Sequence, residues 1–536
     1  MSRYPASVDV AIVGSGPAGA TYARILSELA PELHVAMFEV GPTVSNPPGA
    51  HVKNIEDPEK RSLAQRRSEG PGEAAAKLNS PVALAQGKRQ SRPGTYLLPD
   101  GDFSVDGGDG LPVAAMSSNV GGMSAHWTGA CPRPGESERI AFLDKESGTG
   151  ELDELLSEAE RLLGVTTDAF EDAPFSQLIR DRLAPVVDPG RVPEARVQRM
   201  PLAVRRRDDG RLVWSGSDVV LGDVARKNTN FELFDESLVT MIVTDGGETR
   251  GVEVRDLSEG GAQQTSEVSA KVVVVAADAL RTPQVLWASG IRPEALGRYL
   301  NDQSQVVFAA RITGIEAQEQ AGGNTSGGDA PAAKAAGAIS ETSGVSWVPY
   351  TDEKPFHGQI MQLDASPVPV AFDDAVIPGS IVGLGMFCAK ELQRDDRVLF
   401  TDGHLDSYGM PAVRIHYTVT DRDREVMDAA EAELRRLGDA VGEPLDERVM
   451  RLPFGASLHY QGTTRMGQVD DGESVCSPTS EVWGVSGLYV AGNGVIPTST
   501  ACNPTLTGVA LAVKGARDIA AKLTAEPALA STTRTV

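Results

Sequence analysis

Near the N-terminus, "VDVAIVGSGPAGATYARILSEL" sets an apolar run, Val8 to Val13, directly before Gly14, Gly16 and Gly19 and a helix-like segment ending at Leu29. "HVAMFEVG" supplies a second short strand tipped by Glu39, twenty residues after Gly19. A strand, a glycine turn, a helix and a strand ending in an acid leave few folds open. Bare backbone permits the tight turn and lets a pyrophosphate reach the helix N-terminus, while the acid accepts from ribose hydroxyls. The pattern predicts a parallel α/β unit that holds an adenine dinucleotide through these glycines and Glu39. A glycine turn serving only close helix–strand packing is the plainer alternative.

The same kind of unit returns at the other end of the chain. "GLYVAGNGVIPTSTACNPTLTGVALAVKGARDIAAKL" reads as a strand, Leu488 to Ala491, a Pro/Thr/Asn-rich loop and a long helix from about Pro504. Between the two ends, "FELFDESLVTMIVTDGGETRGVEVRD" reads as two strands around a turn, and "AKVVVVAADALRTPQVLWASG" as a buried strand and a helix. A charged helix is expected from near Asp423. The expected division assigns 1–60, 95–150, 215–310 and 455–536 to a discontinuous dinucleotide domain. Residues 151–214 and 311–454 form a sheet-and-helix substrate domain, and 61–94 and 316–344, polar and poor in large apolar residues, are flexible insertions.

With 536 residues the chain has room for such a division, and no run reaches the ~18 apolar residues of a membrane span. A formal charge of −24 disfavours nucleic acid and anionic membranes as partners. Four cysteines, none in a zinc-like pair, point away from a disulfide framework or a metal and towards a reduced, cytoplasmic protein.

The fingerprint alone does not separate nicotinamide from flavin. The discontinuous cofactor domain favours flavin, and so does "VGGMSAHWTG", where bare backbone and an imidazole suit a broad ring held along its edge. The chemistry of alcohol oxidation asks for a base that titrates near working pH, and a histidine serves. A neutral asparagine beside it hydrogen-bonds the hydroxyl or the forming carbonyl.

The ordered set "GSGPAGA", "VGGMSAHWTGACP", "AADALRTPQVLWASG", "PFHGQI", "LHYQGTTRMG" and "GLYVAGNGVIPTSTACNPTLT" resembles the glucose–methanol–choline oxidoreductases, specifically their pyranose oxidase branch. The resemblance spans residue 8 to about 520. It implies an FAD-binding α/β fold with His459 as catalytic base and Asn503 as its partner. It implies cofactor contacts at Gly121, Gly122, Met123, His126, Trp127 and Thr128, with Val239 by the adenine and Ala276 and Ala277 by the dinucleotide. Gly492 and Asn493 would lie near the pyrophosphate, Thr505 beside the ring, and Gln359 and Asp364 on the sugar.

Two departures shape the expectation. The fungal branch has Thr-His-Trp-Thr with its histidine joined to the flavin, whereas Ala125 precedes His126 here, so a dissociable FAD is favoured over a covalent one. The stretch "DASPVPV" lacks the fungal aromatic residue, and a long glycine-rich segment precedes it, which favours an open mouth. The expected reaction is oxidation at C3 of glucosides, C-glycosides included, with O2 reduced to H2O2 or with a quinone as acceptor. Oxidation of free glucose at C2 and a dehydrogenase that reacts poorly with oxygen are the alternatives. A monomer is expected.

Overall fold

The computed structural model describes residues 3–70, 93–97, 102, 104–144, 150–261, 263–315, 344–363, 377 and 379–525. Its first sheet has seven strands. Ser7–Val13 lies between Val35–Phe38 and Thr265–Val275, parallel to both, and Phe231–Phe234 extends the sheet beyond Val35–Phe38. Leu488–Val490 runs parallel to Val273–Val275, and the hairpin Ser237–Asp245/Glu248–Asp256 closes that edge antiparallel to Thr265–Ser269. Val272 to Val275 are buried, as expected of a central strand covered on both faces. The hairpin turns on Gly246 and Gly247, both at positive φ, the geometry that matches strand twist.

Three parallel strands therefore end side by side: Ser7–Val13 at Gly14, Thr265–Val275 at Ala276, and Leu488–Val490 at Ala491. Helix Pro17–Leu29 leaves the first turn with Pro at its start, where the missing N–H costs nothing. It packs against Thr505–Ala525 and Ser217–Lys227. Gly14 has φ +102°, and a Cβ there would overlap the carbonyl of Ala276; a Cβ on Gly19 would overlap the carbonyl of Gly14.

The second seven-stranded sheet is antiparallel along its central ladder, where Ser304–Ile312 pairs with Ile381–Cys388, which pairs with Phe356–Leu363. Helix Asp421–Val441 covers it, opened by Thr420 and Asp423 in a reciprocal cap. Two segments lie elsewhere than the sequence-based division put them. Helix Glu151–Leu163, expected in the substrate domain, buries Leu152, Leu155, Leu156 and Leu162 in the same core as the first sheet and packs on Thr505–Ala525. Strand Ser304–Ile312, most of it assigned to the dinucleotide domain, belongs wholly to the second sheet. The expected insertion 61–94 overlaps a helix, Pro58–Arg67, capped by Asp57 accepting from the N–H groups of Glu59 and Lys60. Residues 71–92 and 316–343 lie outside the described residues. Among the described residues, no helix is long and apolar enough to cross a membrane.

Because Gly14 combines a left-handed backbone with direct contact to a neighbouring carbonyl, Gly14→Ala is expected to cost about 2 kcal/mol or more. Thermal denaturation and the flavin content of the purified variant measure this, and both should fall.

Candidate active site

A cavity of about 310 Å³ opens at the carboxyl ends of the three parallel strands, within the roughly 300–1,000 Å³ range of small-molecule and cofactor sites. One end is lined by Phe38, Glu39, Leu238 and Val239, the other by His459 and Asn503. Between them lie Gly14, Gly16, Gly122, Met123, His126, Trp127, Thr128, Ala276, Ala277, Gly492, Asn493 and Thr505. Five segments distant in sequence thus share one wall.

A flat dinucleotide fits this wall on two counts. Bare backbone faces the space at Gly16, where an added Cβ would meet none of the described residues within 4 Å, and at Gly492, where among them it would meet Ala18 alone, at 3.9 Å. Glu39 accepts from Ser15 N at 3.0 Å and Ser15 Oγ at 2.7 Å on one oxygen, and from Gly41 N at 3.0 Å on the other. That second oxygen keeps a lone pair beyond these bonds, and Glu39 lines the cavity. Burial pushes this carboxyl above its ordinary range. Gly19 and Gly121 do not line the cavity. Gly19 carries the helix–turn contact, and Gly121 packs on Gly49 while its N–H donates to Ser15 Oγ at 2.9 Å.

The loop bearing His126 is held from behind. His51 is 1% exposed; its Nδ1 accepts from Lys53 N at 3.0 Å, so Nε2–H donates to the Trp127 carbonyl at 2.8 Å. Trp127 Nε1 in turn donates to the Ser215 carbonyl at 2.8 Å. His126 Nε2 lies 3.3 Å from Asn119 Oδ1, which makes Nε2 the protonated nitrogen. Its Nδ1 is buried without a partner among the described residues, and Gly94 packs directly against that edge of the ring. Burial lowers the His126 pKa to about 4, so the imidazole stays neutral.

At the far end, His459 Nε2 faces Asn503 Nδ2 at 3.2 Å, and Nδ1 faces Gln303 Oε1 at 2.6 Å. Phe387 stacks on the His459 ring with centroids 5.1 Å apart, and His357 stacks on the other face of Phe387 at 5.3 Å. His357 therefore stands one ring away from the cavity. Burial lowers its pKa to about 3, and its Nδ1 accepts from Trp347 Nε1 at 3.2 Å. Gln359 does not line the cavity, but its Nε2 donates to Asn503 Oδ1 at 2.8 Å. Asp364 lies outside the described residues.

Gln303 and Asp302 carry no motif and escaped the sequence reading. Asp302 is buried and accepts from the N–H groups of Gly455 and His459, both at 3.1 Å, and from the Ser457 hydroxyl. These bonds hold Leu458 at φ +62°, a strained conformation for a branched side chain, and so aim His459 inward. Glu138, equally buried, accepts from the N–H groups of Ala501 and Cys502 and pins the loop that presents Asn503.

Family models described as GMC oxidoreductase match residues 195–305 and 397–512. A C-glycoside 3-oxidase from Arthrobacter globiformis is 67% identical over 523 residues, covering 98% of this chain and 97% of that protein. The chain belongs to the GMC oxidoreductase family. It is accordingly an FAD-dependent oxidoreductase with the mixed α/β fold expected of that family. A pyranose 2-oxidase from Tricholoma matsutake is 32% identical, covering 96% of this chain and 94% of that protein. The solved structure of the formate oxidase of Aspergillus oryzae RIB40 shares the fold, with a TM-score of 0.66 at 16% identity and coverage of 98% and 100%.

Burial raises the Asp302 pKa from 3.8 to about 6. Between those values the folded protein keeps a proton that the unfolded chain releases, so this group's stabilisation is full below 3.8 and lost as pH rises through about 6. Melting curves of the native protein and Asp302→Asn from pH 4 to about 7 should show this difference: the native protein loses stability relative to the variant as pH rises.

Proposed function

We propose that this GMC oxidoreductase is a sugar oxidase that removes a hydride from the C3 hydroxyl of glucosides, C-glucosides among them. The reaction turns a secondary alcohol and O2 into a ketone and H2O2, with a quinone able to replace oxygen as the acceptor. The observation that carries this reading is the 67% identity to a C-glycoside 3-oxidase across nearly the whole chain, against 32% for a pyranose 2-oxidase. The pairing of His459 with Asn503 at the end of the cavity supports it from the chemistry.

In this reading Gly14, Gly16, Gly122, Ala276 and Gly492 give the dinucleotide its backbone floor, with Glu39 on the ribose and Val239 at the adenine. When bound, FAD supplies the two-electron acceptor for the hydride. His459 Nε2 takes the proton of the substrate hydroxyl. A hydroxyl oxygen entering between the two side chains donates to Nε2 and accepts from Asn503 Nδ2–H, replacing their direct contact at 3.2 Å. Asn503 then keeps a donor on the same oxygen as it becomes a carbonyl, and Gln359 holds the Asn503 amide in that orientation. His126 holds the cofactor without a covalent bond, because its protonated nitrogen is turned to Asn119 and its bare nitrogen is packed against Gly94.

Product analysis by NMR on a C-glucoside and on free glucose tests the regiochemistry: the 3-keto glycoside is expected, and exclusive 2-keto-glucose would overturn the reading. His459→Ala should keep flavin bound while slowing anaerobic bleaching by sugar about 10²–10⁴-fold. Acid precipitation should leave the yellow colour in the supernatant; a yellow pellet would mean a covalent bond.

A further inference from the structure

We infer that Gln303 is a positioning residue: it fixes which nitrogen of His459 carries the proton, and through that ring it sets the direction of a chain of amides across the active site. The inference starts from the Gln303 end. Its Nε2 lies 2.9 Å from the Thr500 carbonyl and 2.7 Å from the Cys502 carbonyl. Two carbonyls accept only, so the NH2 of Gln303 must point at them and its oxygen must point at His459. That oxygen, 2.6 Å from Nδ1, demands a proton on Nδ1.

The rest follows by elimination. A neutral imidazole with its proton on Nδ1 has a lone pair on Nε2. The partner of Nε2 must then be a donor, which orients Asn503 with Nδ2 towards the ring at 3.2 Å and Oδ1 away from it. That oxygen requires a donor in turn, and Gln359 Nε2 supplies one at 2.8 Å. Had Gln303 presented its NH2 to the ring, every amide in this series would have to reverse, and Nε2 would carry the proton that the base has to receive.

Gln303 can act this way because it is buried, 1% exposed, and the two residues before it are tied to the loop it directs. Neighbouring Asn301 and Gln461 exchange both backbone hydrogen bonds at 2.9 Å, and Asp302 holds the His459 N–H. The same Gln303 amide grips the carbonyls of Thr500 and Cys502 just before Asn503, so one side chain spans both members of the pair. A neutral amide at Nδ1 orients the ring without placing a charge beside it.

This inference rests on the reading of His459 as the base, but its test is separable from that reading. The ring nitrogens of the seven histidines can be observed in holoenzyme labelled with ¹⁵N-histidine, with His459→Asn identifying the His459 signals. The expected result is a proton on Nδ1 of His459; a proton on Nε2 overturns the inference, whatever His459 does in turnover. Gln303→Met, of similar length but without polar atoms, should retain FAD and lose the single Nδ1 tautomer. Its rate of anaerobic flavin reduction should fall about tenfold to a hundredfold, with the sugar concentration for half-maximal rate little changed. An intact Nδ1 tautomer in that variant, or a rate within about threefold of the native enzyme, also overturns it. If Gln303→Met does not fold, the native spectrum alone decides. Undiminished reduction in His459→Ala would instead remove the base reading while leaving the tautomer assignment standing.

Discussion

Everything in this molecule depends on three parallel strands ending at one edge. Ser7–Val13, Thr265–Val275 and Leu488–Val490 are hundreds of residues apart, yet their register brings Gly14, Ala276 and Ala491 into line. In an α/β sheet, such an edge is where a ligand can meet free backbone and helix N-termini without a covering side chain. Gly14 shows how tight the junction is, since the carbonyl of Ala276 fills the space a Cβ would need. The cavity is the consequence of that closeness.

The loop that carries His459 is held from the second sheet towards this edge. Asn301, Asp302 and Gln303 lead into strand Ser304–Ile312, and each takes hold of the loop that carries His459. Phe387, on the neighbouring strand Ile381–Cys388, gives the imidazole a flat apolar face. The polar groups on the ring nitrogens are amides, while the nearby carboxylates of Asp302 and Glu138 are spent on backbone N–H groups. Charge is thus used to fix the loops, and neutral amides touch the His459 ring. That separation keeps the charged groups hydrogen-bonded to backbone and off the imidazole ring.

Much of the cofactor unit was legible in the chain. The spacing of Gly14, Gly16 and Gly19 before a helix, and Glu39 at the tip of the next strand, are local patterns that depend on a few consecutive residues. "LHYQGTTRMG" and "NPTLT" likewise marked His459 and Asn503 by resemblance. Local pattern also misled. The polar composition after Asp57 concealed the helix Pro58–Arg67, whose cap lay in plain view. Helix Glu151–Leu163 has an ordinary apolar face, and nothing local says which of two cores will receive it.

By itself, the sequence determined the strand–glycine turn–helix unit, because that pattern is written in consecutive residues whose spacing obeys backbone geometry, while the family and the histidine–asparagine pair were legible only through the resemblance of their motifs. Only the tertiary structure decided how that pair is held. Gln303 is 156 residues from His459 and its hydrogen-bonding carbonyls are almost 200 residues away, so no periodicity or spacing links them. A hydrogen bond is a matter of a few tenths of an ångström and an angle, and those are set where two sheets and a loop meet in space.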